Sequence, residues 1–262
     1  MSTPDRALVA CGFHDAECAG YQADLPLWVA LADTTGGPVV DLGAGTGRVT
    51  VPLAAAGHDV IAVDLDADLL DELDRRARDG GVAVRTISAD ACALADALPD
   101  ALLGTARLIV MPMQTIQLLG GVQARRACLA GCAVVAAPGA ELAISIVPEV
   151  EPFDGRDATP LLLPPDVAQL GGLRFASTAL AVLQPSPDAP IQMHRRRAIS
   201  DESGAPVGEP CDVVITLDPL TVAELQREAA AAGWVAGEVI ELPETDEHAA
   251  SIVVVFTRER GA

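Results

Sequence analysis

Three carboxylates stand where short apolar runs of this chain end. Asp41 lies within Val39-Val40-Asp41-Leu42, Asp64 closes Asp59-Val60-Ile61-Ala62-Val63-Asp64, and Asp90 follows Val82-Ala83-Val84-Arg85-Thr86-Ile87-Ser88-Ala89. In a strand-helix-strand unit, an acid at the tip of the second strand can accept both hydroxyls of a ribose. Asp64 comes twenty-one residues after Gly43, which suits that unit. Gly43, Gly45 and Gly47 separate the first run from a helical pattern. Glycines there let the backbone bend sharply and let a ligand approach where a Cβ would collide. The following helix directs its unpaired N–H groups at the same spot.

A dinucleotide fingerprint, G-x-G-x-x-G, is the nearest competitor and would seat a pyrophosphate on the helix terminus. Here Gly47 arrives one residue early and Arg48 stands where the fingerprint requires glycine, which favours a ligand without a pyrophosphate. The pattern [Asp/Glu]-x-G-x-G-x-G, filled by Asp41, Gly43, Gly45 and Gly47, resembles the first motif of class I S-adenosylmethionine (SAM) dependent methyltransferases. Tyr21-Gln22-Ala23-Asp24-Leu25-Pro26-Leu27-Trp28 resembles the leading segment of their small-molecule branch. Leu220-Thr221, Glu224-Leu225 and Ala232-Gly233-Trp234 resemble its tail.

The resemblance implies SAM as cofactor, with Asp41, Gly43, Ala44 and Gly45 at the glycine turn and Tyr21 near the cofactor's amino-acid end. Asp64 would take the ribose, with Leu65 against the adenine face. Asp90 would accept from the adenine amino group while the Ala91 amide donates to the ring. Residues Met111 to Gln117 follow the fourth strand beside the glycine turn and border the transferred methyl, with Met111 on the cofactor and Met113, Gln114 and Gln117 on the substrate. One departure stands out. Relatives open that strand with Asp and follow it with Pro-Phe-Asn, whereas this chain has Arg107 before it and Pro112-Met113-Gln114 after it.

The elements that must position these groups follow from periodicity. A helical pattern covers His14 to Ala32, and residues 1 to 13 show no clear period. Helices are expected over Val49 to Ala56, closed by Gly57, over Ala67 to Asp79, capped by Asp66 or Asp68, and over Val122 to Ala133. Strands are expected at Leu108 to Met113 and at Ala140 to Val147, with Pro138-Gly139 as the turn before the latter. Strand and helix alternate five times through residue 147, which specifies a parallel sheet with helices on both faces.

From Pro148 the texture changes. Prolines 148, 152, 160, 164 and 165 precede alternating stretches at Phe175 to Leu183, Gln192 to Ile199 and Cys211 to Leu217. A segment of roughly 65 residues is too long for an ordinary connection, so it reads as a functional antiparallel insertion over a pocket. Its basic run, His194-Arg195-Arg196-Arg197, alternates along a strand, and a solvated face with one inward arginine is expected. A helix from Leu220 to Ala232 and strands at Trp234 to Leu242 and Ala249 to Thr257 close the chain.

The 262 residues are half hydrophobic and carry a formal charge of −20. That charge leaves no patch to neutralise phosphates, which argues against nucleic acid and against anionic membranes. Six cysteines contain no C-x-x-C pair, so they are expected as reduced thiols, and no metal site is expected. Cys128 and Cys132, four apart, read as small buried side chains rather than half a metal site. No export pattern and no run of about 20 apolar residues occurs, so a cytoplasmic protein is expected.

The sequence therefore predicts an α/β protein with a doubly wound, mostly parallel seven-stranded sheet and an antiparallel β insertion after the fifth strand. Residues 1–147 and 216–262 form the SAM-binding domain, and 148–215 form the substrate-covering insertion. The expected function is methyl transfer to a small molecule, with a SAM- or nucleoside-binding protein lacking transferase activity as the alternative. Methyl transfer from a sulfonium needs positioning above all, worth roughly 7–11 kcal/mol of barrier. An oxygen acceptor would add a need for a base, for which His14 and His194 are the candidates, while His58 reads as structural.

Overall fold

The computed structural model describes residues 4–154, 164–245 and 249–259, and these divide into two compact units. One contains 23–148 and 220–262, the other 1–22 and 149–219.

The first unit is built on apolar runs too short and too β-branched for helices. Val39–Leu42 (β1) is buried at all four positions, as expected for a strand covered on both faces. Val60–Asp64 (β2), Arg85–Ser88 (β3), Ala106–Met111 (β4) and Ala136–Ile146 (β5) lie parallel to it or to one another. Two later strands, Trp234–Leu242 (β11) and Ser251–Arg258 (β12), complete a seven-stranded sheet in the order β11-β12-β5-β4-β1-β2-β3, with β12 antiparallel to both neighbours. The chain leaves β1 toward β2 and β3, then returns to place β4 on the other side of β1. That reversal opens a crevice beyond the carboxyl ends of β1 and β4.

Alternate residues of β1 feed two cores. Val40 and Leu42 join Ile61, Val63, Ile109, Met111 and Ile144 on one face, together with Leu94 of Leu94–Ala97 (α5), Leu129 of Val122–Val135 (α6) and Leu225 of Val222–Ala231 (α7). Val39 joins Val60, Leu108 and Val110 on the other, against Trp28 and Ala32 of Leu25–Thr35 (α2) and Leu53 of Thr50–Ala55 (α3). The helix Ala67–Asp79 (α4) buries Leu69, Leu70, Leu73 and Ala77, and Asp66 caps it by accepting from the Asp68 amide at 3.0 Å. Thr221 and Glu224 form a capping box at the start of α7. A buried ion pair ties α6 to α7: Arg125 donates through Nε and Nη2 to Glu228 at 2.9 and 2.7 Å.

The second unit pairs the N-terminus with the insertion. Arg6–His14 (α1) continues into a π-helical stretch, Asp15–Ala19. The sheet runs β10-β9-β8-β6, from Cys211–Leu217 (β10), Ile191–Asp201 (β9), Leu173–Leu183 (β8) and Phe153–Asp154 (β6), while Asp166–Leu170 (β7) also pairs with β8. Phe13 meets Phe175 edge to face at 5.3 Å, and a Cβ on Gly12 would lie 2.4 Å from that ring. Leu8, Val9, Leu170, Leu173 and Ile199 pack around the pair.

Several expectations need correction. Residues 1–13 show no clear period in the sequence, and 1–22 are expected to belong with the parallel sheet. Instead α1 packs on β7 and β8, where Phe13, Ala16 and Leu8 meet the apolar side chains of Phe175, Leu170 and Leu173. The expected helix 14–32 is two helices, and Pro26 occupies the first turn of α2, where its missing N–H costs nothing. Pro138-Gly139 lies within β5, where an irregular register against β4 accommodates it. Both Arg195 and Arg197, not one arginine, turn to the side of Glu17, because residues two apart on a strand share a face. Of the expected breakers, Pro160 lies outside the described residues, as does His248 near the last strand.

Replacing Arg125 by Ala leaves Glu228 buried without a counter-charge, and about 3–5 kcal/mol of stability in urea unfolding is expected to be lost. The double variant Arg125→Met with Glu228→Leu is expected to recover most of it, and equal losses in single and double variants would contradict the assignment.

Candidate active site

The crevice begins where β1 stops. Gly43 and Ala44 donate their amides to the Val63 carbonyl at 2.9 and 3.1 Å, which pins the turn to the tip of β2. Gly45 donates its amide to Asp64 Oδ2 at 2.8 Å, and Asp66 donates to Asp64 Oδ1 at 2.9 Å. The carboxylate therefore clamps the glycine turn to the start of α4. Each oxygen has a second lone pair, so a ribose hydroxyl can still donate to it.

The glycines are required by the protein as much as by a ligand. Gly43 adopts φ +74°, and a Cβ there would meet Thr115 Oγ1 at 2.6 Å. A Cβ on Gly47 would meet Leu73 at 2.9 Å. The space that the sequence assigned to an approaching ligand is thus filled at these two positions by side chains that lock the turn against β4's loop and α4.

That loop is strained. Met113 and Gln114, both non-glycine, adopt φ of +49° and +60°. Left-handed conformations cost such residues roughly 1–2 kcal/mol each. Thr115 holds the loop closed by donating its hydroxyl to the Pro112 carbonyl at 2.7 Å. Nothing in the sequence signals this strain, since neither residue is a turn former of the usual kind.

Beneath the turn lies a charged layer. Asp41 is 1% exposed, and its Oδ2 accepts from the Thr50 hydroxyl at 2.6 Å. Burial pushes its carboxyl up to about 6, against the Thr50 bond and the Arg48 charge, which pull it down. Arg48 grips Asp24 with both terminal nitrogens, at 2.5 and 2.8 Å, and Trp28 Nε1 donates to the same carboxylate at 2.8 Å. The sequence had used Arg48 only to reject a dinucleotide. Its partner Asp24 was missed, although an acid just before a helix that packs on β1 was the available clue.

At the next strand end, Leu65 is 73% exposed and Asp90 is exposed. Asp90 accepts from the Cys92 amide at 2.8 Å and caps a short turn that starts at Ala91. The Ala89 amide donates to the Asp64 carbonyl at 2.9 Å, joining the ends of β2 and β3. Asp64 and Leu65 at the end of β2 thus lie beside Asp90 and Ala91 at the end of β3.

Other expected residues are placed differently. Met111 is fully buried in the core. Gln117 is fully buried, donating to the Val147 carbonyl at 3.1 Å and accepting from its amide at 2.8 Å, so its carboxamide locks the end of β5 and is closed to a substrate. Met113 and Gln114 are half-buried in the strained loop. Tyr21, His14 and His194 belong to the other unit: Tyr21 is buried, His14 ends α1, and His194 lies on β9 with its Nε2 buried and without a hydrogen-bond partner. His58 pairs with Asp33 at 3.0 Å, a structural contact.

Comparison with known proteins agrees with this geometry. Residues 39–139 match the family model described as a methyltransferase domain. A ubiquinone biosynthesis O-methyltransferase from Methylococcus capsulatus is 46% identical over 66 residues, 24% of this chain and 27% of the relative. An uncharacterized RNA methyltransferase from Parasynechococcus marenigrum is 33% identical over 85 residues, 32% of this chain and 18% of the relative. The chain thus spans about a quarter or less of the length of these curated relatives. Among solved structures, the SAM-bound amino pentose methyltransferase CalS10 from Micromonospora echinaspora matches with a TM-score of 0.67 at 20% identity, covering 94% of this chain and 96% of that one. The sugar N-methyltransferase KedS8 from Streptoalloteichus matches with a TM-score of 0.67 at 15% identity, covering 99% and 97%. The fold is therefore the Rossmann-like fold seen in these methyltransferases, and the glycine turn and strand-end acids lie within the segment that matches the methyltransferase domain model.

Asp41 gives a pH test of this site. Its carboxyl is raised from 3.8 to about 6, so the folded state holds a proton that the unfolded state has lost between those values. Stability therefore falls as pH rises from about 4 to about 6 and is level above, a penalty on the order of 3 kcal/mol. Asp41→Asn removes the titration. In thermal unfolding the variant is expected to gain on the wild type across that window, and parallel pH profiles would contradict the burial of an ionising carboxylate.

Proposed function

We propose that the protein is a SAM-dependent methyltransferase acting on a small-molecule acceptor. The observation that carries this is the position of Asp64, which clamps the glycine turn at the switch point of the sheet and keeps acceptor capacity beside exposed Leu65 and Asp90. Asp64 would hold the ribose hydroxyls, Leu65 the adenine face, and Asp90 with the Ala91 amide the adenine edge. Gly43, Ala44 and Gly45 would border the amino-acid arm, with Tyr21 assigned to its end. The cofactor supplies a methyl group already activated on a sulfonium, so the chain need supply neither nucleophile nor metal.

What the chain supplies is alignment and exclusion of water. The Pro112 to Thr115 loop, rigid because it is strained and packed against Gly43, would set the wall along which an acceptor approaches. Met113 and Gln114 are the side chains on that wall assigned to the acceptor. A neutral amine needs no base; for a hydroxyl, His14 or His194 is the candidate to receive the proton.

Charge supports a neutral or cationic acceptor. The densest basic run of this acidic chain is already neutralised: Arg195 pairs with Asp166 and Ser177, Arg196 with Asp212, and Arg197 with Glu17. No arginine there is left over for a phosphate, which also disfavours nucleic acid as substrate. No helix of the described residues is long and apolar enough to cross a membrane.

A second reading, a SAM- or nucleoside-binding protein without transferase activity, is motivated by Arg107 and Pro112-Met113-Gln114 in place of the acid and Pro-Phe-Asn of relatives. Turnover separates the two, since only a transferase forms S-adenosylhomocysteine from SAM with small amines or phenols as acceptors.

Calorimetry is expected to find saturable SAM binding that Asp64→Ala weakens by about 2–4 kcal/mol, the range for loss of a charged hydrogen-bonding group. An unchanged affinity in that variant would remove Asp64 from the site.

A further inference from the structure

Asp41 is a buried carboxylate of the crevice layer whose hydrogen bond, from the Thr50 hydroxyl, brings no positive charge. Val39 and Asp41 point to the same face of β1, into the layer formed by α2 and α3. Its ladder neighbours, Ala62 on β2 and Val110 on β4, are apolar. Thr50 on α3 donates to Oδ2, while Oδ1 is buried and has no hydrogen-bond partner.

The charged groups that act on Asp41 are Arg48 from the glycine turn, Asp24 from the start of α2, and Asp64 from the tip of β2. Arg48 is already held bidentately by Asp24. With every group ionised, Asp41 and the two carboxylates that act on it are set against one guanidinium, an excess of two negative charges around a side chain that is itself closed to water. One proton on Asp41 relieves part of that excess. A cation arriving in the crevice relieves it in the same way, so proton and cation compete for one electrostatic vacancy.

We propose that Asp41 is a proton-exchange site coupled to ligand charge: it carries a proton while the crevice lacks a cation and surrenders it to solvent when a cationic ligand binds. This rests on the assignment of the crevice to SAM, which carries a sulfonium and an ammonium against one carboxylate. No contact with the ligand is required, because the coupling acts through space in a region of low dielectric. Asp41 thereby becomes a specificity-determining residue. Its ionised form favours the charged cofactor, and S-adenosylhomocysteine, which lacks the sulfonium charge, draws out less of the proton. Burial places the exchange near pH 6, where the carboxyl of Asp41 is about half protonated.

The test is titration calorimetry of the full chain with SAM and with S-adenosylhomocysteine, at pH 6 and pH 8, in two buffers of different ionisation enthalpy. The buffer dependence of the heat counts protons released. SAM binding is expected to release about half a proton at pH 6 and almost none at pH 8. S-adenosylhomocysteine should release clearly less at pH 6. Asp41→Asn should abolish the release, and Thr50→Val should move its maximum to higher pH, because the lost hydroxyl had favoured the ionised carboxylate. If Asp41→Asn does not fold, the wild type at two pH values and Thr50→Val still decide the question. SAM binding without proton release at pH 6, or undiminished release from Asp41→Asn, overturns this inference alone. No binding heat for SAM at either pH overturns the assignment of the crevice, and the role of Asp41 with it.

Discussion

The grip of Asp64 on the Gly45 amide is the interaction on which the site depends. It joins the end of β1 to the end of β2, and through Asp66 to the start of α4, so one carboxylate fixes three elements that meet at the crevice. The constraint behind it is electrostatic. Carboxylates at the ends of parallel strands are costly to gather, and this chain brings Asp24 and Asp64 within electrostatic reach of buried Asp41, with Arg48 as the cation among them. Asp24 is neutralised by Arg48, and Asp64 is hydrogen-bonded by backbone amides and partly exposed. Asp41 bears the remaining cost as a raised carboxyl. A site arranged this way is suited to a ligand with positive charge near the glycine turn and hydroxyl donors near β2.

Rigidity comes from close packing that leaves the backbone little choice. Thr115 occupies the space beside Gly43, so the loop after β4 and the turn after β1 hold each other. The left-handed Met113 and Gln114 persist because that contact and the Thr115 bond to Pro112 offset their strain. Strain of this kind is found where a loop must present side chains in a fixed direction. It falls here beside the crevice.

Legibility in the sequence followed the range of the interactions. The strand-end acids, the glycine turn and helix α4 were readable because their signals are local: apolar runs, a capping acid, amphipathic spacing. Alternation of strand and helix specified the parallel core of the sheet, not the order of its strands. The N-terminal helix was not readable as part of the insertion unit, since its partner Phe175 lies far along the chain and periodicity carries no information about partners. The same holds for Arg125 with Glu228, for Arg48 with Asp24, and for Gln117, which looked like a substrate ligand until its amide was found on Val147. Pro138-Gly139 misled in the opposite sense, because a local turn signal was overridden by strand pairing at the start of β5.

Two of the strand-end acids, Asp64 and Asp90, are assigned to one adenosine. A crystal structure of the protein grown with S-adenosylhomocysteine tests this assignment most directly. Both ribose hydroxyls are expected within hydrogen-bonding distance of Asp64, with the adenine between Leu65 and Asp90. Density for the ligand elsewhere, with Asp64 still bonded only to Gly45 and Asp66, would contradict the assignment.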